Sequence, residues 1–378
     1  MLAETYTDRI IEKLEKVNRI YAERMYHTVG RLTDMTCLRT PEHFRRPPEC
    51  SEPLHEGEKW GGEYQNLWIR TRFTVPKELE GKKLYLRPDT QAVEILLFVN
   101  GKPDGIFNTR GDYMGLFHSV QLLTECAVPG ETFDIAMECY AGHYCAGCSS
   151  FDHYGIEGVA DPNEFIRTFS GIELCECEED VFGFVFDLNA VLQMASELQE
   201  DNFLRHRARA VLTELYQNVI VLPVEYPDEA VHASVAKCRE IMRPLLRKSA
   251  SDTTRGCVAL LGHSHMDTAW LWPVSETIRK CARTYSNAVK LMREYPEYKF
   301  IQSSALHLEW MRVYYPEIFE EIRHFVREGR YEPNGGVWVE CDCNITSGEL
   351  MARQFMYGQH FTRQYLDDME WVTLGTVE

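Results

Sequence analysis

The residues of this chain best suited to chemistry are His263, His265 and Asp267, which stand at alternate positions within CVALLGHSHMDTAWLWP, residues 257–273. Two imidazoles and a carboxylate are the donors a zinc ion accepts, and zinc held this way acts as a Lewis acid. The element that must position them opens with Cys257, Val258, Ala259, Leu260 and Leu261, an apolar run expected to form a fully buried parallel strand. Gly262 breaks the run. Pro273 and the Ser275-Glu276-Thr277 cluster announce a helix after it. Side chains leaving the carboxyl end of such a strand stand where α/β sheets and barrels collect ligands and catalytic groups.

The motif continues as Thr268-Ala269-Trp270-Leu271-Trp272-Pro273, and the whole string resembles the zinc-site signature of the glycoside hydrolase family 38 α-mannosidases, in their cytosolic and vacuolar branch. The likeness extends through ETIRKCARTYSNAVKLMREYPEYKFIQSSALHLEWM and EGRYEPNGGVWVECDCN to SGELMARQFMYGQHF. It is close from about Cys257 to Phe361 and looser upstream. The resemblance implies zinc-dependent, retaining hydrolysis of terminal α-D-mannosyl residues of oligosaccharides. It makes His265 and Asp267 two of four zinc ligands, leaves His263 as a supporting group outside the pair, and puts Trp270 under the sugar ring.

A retaining glycosidase also needs two carboxylates flanking the scissile bond. In the family resembled, the nucleophilic aspartate lies in a Pro-Asp-x-Phe-Gly stretch after a Tyr-Gly-Gln helix. Tyr357-Gly358-Gln359 is present here, but Pro88-Asp89 leads into Thr90-Gln91, and Pro227-Asp228 into Glu229-Ala230. No catalytic carboxylate is therefore expected in this chain, which reads as truncated before the nucleophile and inactive alone. Asp342, Asp367 and Asp368 do not stand at matching positions. Two other readings compete. A metal-dependent amidohydrolase also opens its barrel with His-x-His, but the continuation Asp267-Thr268-Ala269-Trp270 is foreign to that pattern. A non-catalytic carbohydrate-binding remnant is the alternative without chemistry.

The 378 residues carry a formal charge of −18, which argues against nucleic acid as a partner. With 44% hydrophobic and 12% aromatic residues the chain is an ordinary globular one, and no stretch is built to span a membrane. The N-terminus lacks the apolar core of a signal peptide, so the thirteen cysteines are expected to be reduced thiols in a cytoplasmic protein. A homo-oligomer is expected only of the full-length enzyme.

Stepwise along the chain, Ile10, Ile11, Leu14, Val17, Ile20 and Tyr21 predict an amphipathic helix over residues 8–29, followed by a proline-rich linker. From Trp60 the period changes to two, with Leu67, Ile69, Thr71, Phe73 and Val75 expected inward and Trp68 outward. Val93 to Val99 runs into Asn100-Gly101, a strong hairpin signal. Trp60, Tyr64 and Tyr113 could stack on a sugar, although core positions suit them better. Helical spacing returns over 187–248. Beyond 255, strands at 257–261, 299–303 and 336–340 alternate with helices at 275–295, 305–314, 316–328 and 348–365. The expected fold is multidomain, α/β and β: a helix and linker (1–49), an antiparallel β-sandwich (50–178), a helical connector (179–254), and the first part of a (β/α) barrel (255–378).

Overall fold

The computed structural model describes residues 2–108, 118–143, 165–247, 258–270, 272–334 and 336–366. Its helices and sheets fall into two compact units: Met1–Gly30, Lys82–Tyr85 and Leu174–Val258 form one, and Arg31–Gly81, Leu86–Glu173 and Ala259–Glu378 the other.

The first unit is mainly helical, with α1 (Leu2–Ala22), α2 (Glu179–Glu197), α3 (Phe203–Tyr216) and α4 (Asp228–Leu246). Ile10, Leu14, Val17 and Tyr21 of α1 pack with Phe184, Leu188 and Val191 of α2, Leu212 and Leu215 of α3, and Val235 and Met242 of α4. Their i, i+3/i+4, i+7 spacing is the reason each helix presents one apolar stripe. α1 is shorter than its period suggested. It stops at Ala22, and Tyr26–Arg31 is a strand in which β-branched and aromatic residues are favoured. Asn202 caps α3, its side chain accepting from the Leu204 amide at 2.8 Å.

The second unit is built on a six-stranded antiparallel sheet. Its order is Glu52–Pro53, Thr36–Thr40, Asn66–Thr74, Thr132–Tyr140, Glu94–Val99 and Lys102–Phe107. The Thr36–Thr40 strand lies in the stretch read from its prolines as linker. Asn100 and Gly101 turn the last hairpin with φ of 52° and 77°, the positive values a type I′ turn needs. Trp68, expected outward, is fully buried, as are Leu96 and Phe98. The reason is a second layer. Helix α5 (Val274–Glu294) packs Ile278, Cys281, Ala282 and Tyr285 into one core with Trp68, Leu96, Phe98 and Ala136. Each large side chain so buried contributes roughly 1.5–3 kcal/mol. Trp60 is core as well, its indole donating to the Thr90 carbonyl at 3.0 Å. Tyr64 is partly exposed and already stacked on His143, with ring centroids 5.0 Å apart. Tyr113 lies outside the described residues.

Three parallel strands also belong to this unit: Gly262–His263, Phe300–Gln302 and Tyr331–Pro333. They alternate with α5, with α6 (Ala305–Tyr314) and α7 (Pro316–Arg327), and with α8 (Gly348–Tyr365), so the helices fall where their periodicity put them. Two strands do not. The apolar run before Gly262 is not a buried strand: Val258 and Leu260 are more than 80% exposed, and only Gly262–His263 pairs. Hydrophobicity buries a strand only where neighbours cover it, and Gly262–His263 is an edge of this sheet among the described residues. The third strand is Tyr331–Pro333, not 336–340. Tyr331 is fully buried against Phe300 and Tyr285, a stronger anchor than the following apolar residues.

All ten described cysteines are free; Cys145, Cys148 and Cys257 lie outside the described residues. Among the described residues no helix is long and apolar enough to cross a membrane.

Candidate metal and sugar site

The strand ending at His263 delivers His265 and Asp267 to one place. The Nε2 atom of His265 lies 3.6 Å from Oδ1 of Asp267, and both side chains are about half exposed. Two ligands 2.0–2.1 Å from a tetrahedral ion stand roughly 3.3 Å apart, so this pair needs little adjustment to share one. The other ring nitrogen, Nδ1, faces Oε2 of Glu340 at 3.2 Å. A carboxylate on Nδ1 claims the N–H of a neutral imidazole and turns the Nε2 lone pair toward Asp267, an arrangement that orients metal-bound histidines. The residues present therefore fit a zinc-type ion as part of its ligand set.

Glu340 was not singled out by sequence. The signal available was its place at the end of Val337-Trp338-Val339, as Asp267 follows its own strand, but the register was needed to aim it. Its carboxylate takes the Ser303 hydroxyl, and its amide donates to Ser304 Oγ at 3.2 Å. Ser304 itself is buried with φ of 70°, a left-handed conformation costing about 1–3 kcal/mol in a non-glycine residue. The loop carrying Glu340 is fastened on two sides. Ala305 and Leu306 amides donate to the Val337 and Trp338 carbonyls at 3.0 and 2.9 Å, and the Trp338 amide donates to Gln354 O of α8 at 2.9 Å.

Gly358 lets α8 approach this loop: a Cβ there would collide with the backbone of Gly336 and Val337. Gly358→Ala is expected to push the loop away, cost about 1–3 kcal/mol by overpacking, and weaken zinc binding through Glu340. Chemical denaturation and a zinc titration of the variant check this. Unchanged values in both would mean that α8 does not set the loop.

The segment after Asp267 is held by α5. The Thr277 hydroxyl donates to the Thr268 carbonyl at 2.8 Å and receives the Trp272 indole N–H at 3.0 Å. Lys280 Nζ lies 4.8 Å above the Trp272 ring. Trp270 meets Trp272 edge-on, centroids 5.2 Å apart, and is 55% exposed. An exposed indole can stack on the apolar face of a pyranose. Thr268 Oγ1 lies 3.2 Å from Nε2 of His307, another residue sequence reasoning passed over, whose Nδ1 is 3.4 Å from the Tyr285 hydroxyl. Burial, and then the nearby His265, push the His307 imidazole down to about 4, so it is neutral at ordinary pH. His263 is exposed and lies on the strand itself. Asp342 is exposed and accepts from the Asn344 amide at 2.8 Å, a turn-forming role. Asp367 and Asp368 lie outside the described residues.

Beneath this segment α5 carries a buried charge cluster. Arg279, 1% exposed, donates from Nε to Glu138 at 3.2 Å, from Nη1 to Glu276 at 2.8 Å and from Nη2 to Asn66 at 2.5 Å. Arg283 pairs with Glu276 at 2.5 Å and with Glu94 at 2.6 Å, and Lys280 approaches Glu94 at 3.9 Å. Three cations thus face three carboxylates, and the guanidinium of Arg279 lies 4.9 Å over the Tyr140 ring.

Comparison with known proteins gives the family that the chain resembles. Residues 255–374 match the glycosyl hydrolases family 38 N-terminal domain. The chain is 30% identical over 317 residues to human "Alpha-mannosidase 2C1", covering 84% of this chain and 29% of that protein. It is 30% identical over 307 residues to "Alpha-mannosidase G" of Dictyostelium discoideum, covering 81% and 27%. Over 178 residues it is 36% identical to the "Alpha-mannosidase" of Saccharomyces cerevisiae, covering 44% and 16%. The chain spans less than a third of the length of each.

Proposed function

Because this chain belongs to glycoside hydrolase family 38, as the N-terminal part of an α-mannosidase, we propose that it supplies one side of a zinc-dependent site that hydrolyses terminal α-D-mannosyl residues of oligosaccharides with retention. The observation that carries this reading is the His265–Asp267 pair, 3.6 Å apart, with Glu340 on the far nitrogen of the imidazole.

His265 and Asp267 are two of the zinc ligands in this reading, Glu340 positions His265, and Trp270 stacks beneath the sugar. His265 and Asp267 would help hold a zinc ion, which would supply Lewis-acid chemistry beside the sugar. Trp270 and the ligand pair together favour a distorted ring with oxocarbenium character. The antiparallel sheet falls mainly in a β-sandwich domain over 50–178, to which the 1–49 segment adds the Thr36–Thr40 strand, with the 179–254 connector after it. The parallel strands beyond 255 begin a (β/α) barrel. Neither of the two carboxylates that cleave the bond is assigned to a residue of this chain in this reading. A cytoplasmic location, where the ten described cysteines would stay thiols, belongs to this proposal, as does a homo-oligomer of a longer enzyme.

Two measurements test this. The purified chain should bind zinc, and Asp267→Ala and His265→Ala should each weaken binding by at least about tenfold. The chain alone should not release nitrophenol from 4-nitrophenyl α-D-mannopyranoside above the Asp267→Ala background. Turnover that Asp267→Ala abolishes would show that a complete carboxylate pair lies within these residues. Zinc binding indifferent to both variants would remove the site.

A further inference from the structure

Burial alternates along the segment that carries the two zinc-type donors. His265 and Asp267 are about half exposed. Met266 between them is buried, its sulfur 3.3 Å from Cys281 Sγ of α5. Thr268 is part-buried, with its carbonyl held by Thr277 at 2.8 Å and its hydroxyl 3.2 Å from Nε2 of His307. Asp267 therefore stands between two anchors, one apolar and one polar.

His307 lies on α6, 2% exposed, its ring stacked on Trp310 with centroids 5.5 Å apart. Burial keeps the imidazole neutral, so it offers one N–H and one lone pair. The Tyr285 hydroxyl, 3.4 Å from Nδ1, is the more acidic of its two neighbours and donates there, which leaves Nε2–H to donate to Thr268 Oγ1. A core that needed only volume would be filled as well by a phenylalanine ring. Tyr285 also bonds the Gln302 side chain. Gln302 donates to the Ser304 carbonyl at 2.9 Å, and Ser304 Oγ receives the Glu340 amide. One buried polar network thus reaches Thr268 on one side and the residue that orients His265 on the other.

We infer that His307 is a positioning residue for the site: through Thr268 it fixes the backbone that follows Asp267, and with it the carboxylate and the segment that carries Trp270. The inference rests on the zinc reading for what the carboxylate holds, and on geometry alone for what holds the carboxylate. A ligand free to swing must be ordered when the ion binds, whereas one already fastened is not.

The test uses the full chain and its zinc affinity, with Asp267→Ala as the control for the zinc reading itself. His307→Phe keeps a ring against Trp310 and removes both nitrogens; it should weaken zinc binding by at least about tenfold. His307→Gln, whose amide can again donate to Thr268 and accept from Tyr285, should recover most of that loss. Thr268→Val should weaken binding by a similar factor. Combining Thr268→Val with His307→Phe should add little, because both changes break one contact. Amide hydrogen exchange of the zinc-free chain should quicken over residues 264–270 in His307→Phe and stay unchanged in α7, which a general loss of packing would not spare. Zinc affinity lost in Asp267→Ala but unchanged in His307→Phe would overturn the inference and leave the zinc reading standing. Equal losses in the Phe and Gln variants, or losses that add in the double variant, would overturn it by reducing His307 to a packing residue. A parent that binds no zinc, or binds it equally well after Asp267→Ala, would remove both.

Discussion

Arg279→Ala is expected to destabilise the protein by about 3–5 kcal/mol, the usual cost of leaving a buried charge without its partner. The guanidinium is 1% exposed and is the shared partner of Glu138, Glu276 and Asn66, so its removal strands two buried carboxylates and an amide. The consequence should reach the site, because Glu276 and Thr277 lie in the first turn of α5 and Thr277 fastens Thr268, next to Asp267. Urea denaturation gives the first quantity, and zinc affinity in the folded fraction gives the second. A loss of stability below about 1 kcal/mol would mean that Arg283 and water take over the two carboxylates. Such replacement is physically available, since a buried ion pair is not by itself a net stabiliser against an apolar substitute.

Acidification should strike the same cluster. Burial alone would raise the Glu276 carboxyl, but Arg283, then Arg279 and Lys280, outweigh it and hold the group at about 2 against an ordinary 4.5. The unfolded chain therefore takes up this proton first as pH falls. The stabilisation is fully present above the ordinary value and is lost progressively as pH drops through 4.5 toward 2. The gap between the two values corresponds to roughly 3 kcal/mol. Glu94 is displaced in the same direction, with Arg283 and Lys280 overcoming its burial, and adds to the slope. Stability measured in urea from pH 6 down to pH 2 should fall steeply below pH 5. Glu276→Gln, although less stable throughout, should show a flatter profile. Equal slopes for the two proteins would assign the acid sensitivity to other carboxylates.

The two effects have a common origin in how α5 is used. Read by periodicity it is an amphipathic helix whose charged residues belong outside, as on the outer ring of a barrel. In the folded unit its charged side is buried as well: Glu276, Arg279, Arg283, Ser286 and Lys290 all lie against the antiparallel sheet. Lys290 reaches Asp104 at 2.5 Å and the Leu122 carbonyl at 2.6 Å, and Ser286 receives the Gly105 amide at 2.8 Å. The sheet supplies Glu94, Asp104 and Glu138 at the matching positions. Neither set of residues looks unusual alone.

Sequence by itself determined the parts whose cause is local. The 3.6-residue period located α5 through α8 to within a residue or so, because each helix closes its own hydrogen bonds. Asn100-Gly101 announced its hairpin because few other residues accept two positive φ values in succession. The His265-x-Asp267 spacing put two zinc-type donors on one short segment, where two residues of chain can hardly separate them. Tertiary structure decided whatever depends on partners distant in sequence. Whether Val258 and Leu260 are covered depends on neighbouring strands, and Tyr331 enters the sheet beside Phe300, their ring centroids 5.4 Å apart. Glu340 reaches His265 across 75 residues through the register of a parallel sheet and the approach of α8 at Gly358. Arg279 meets Glu138 across 141 residues, and His232 meets Asp180 across 52. A side chain's type states what it can bind. Only the packing of separate elements brings its partner within the few ångströms at which a hydrogen bond, an ion pair or a shared metal has any energy.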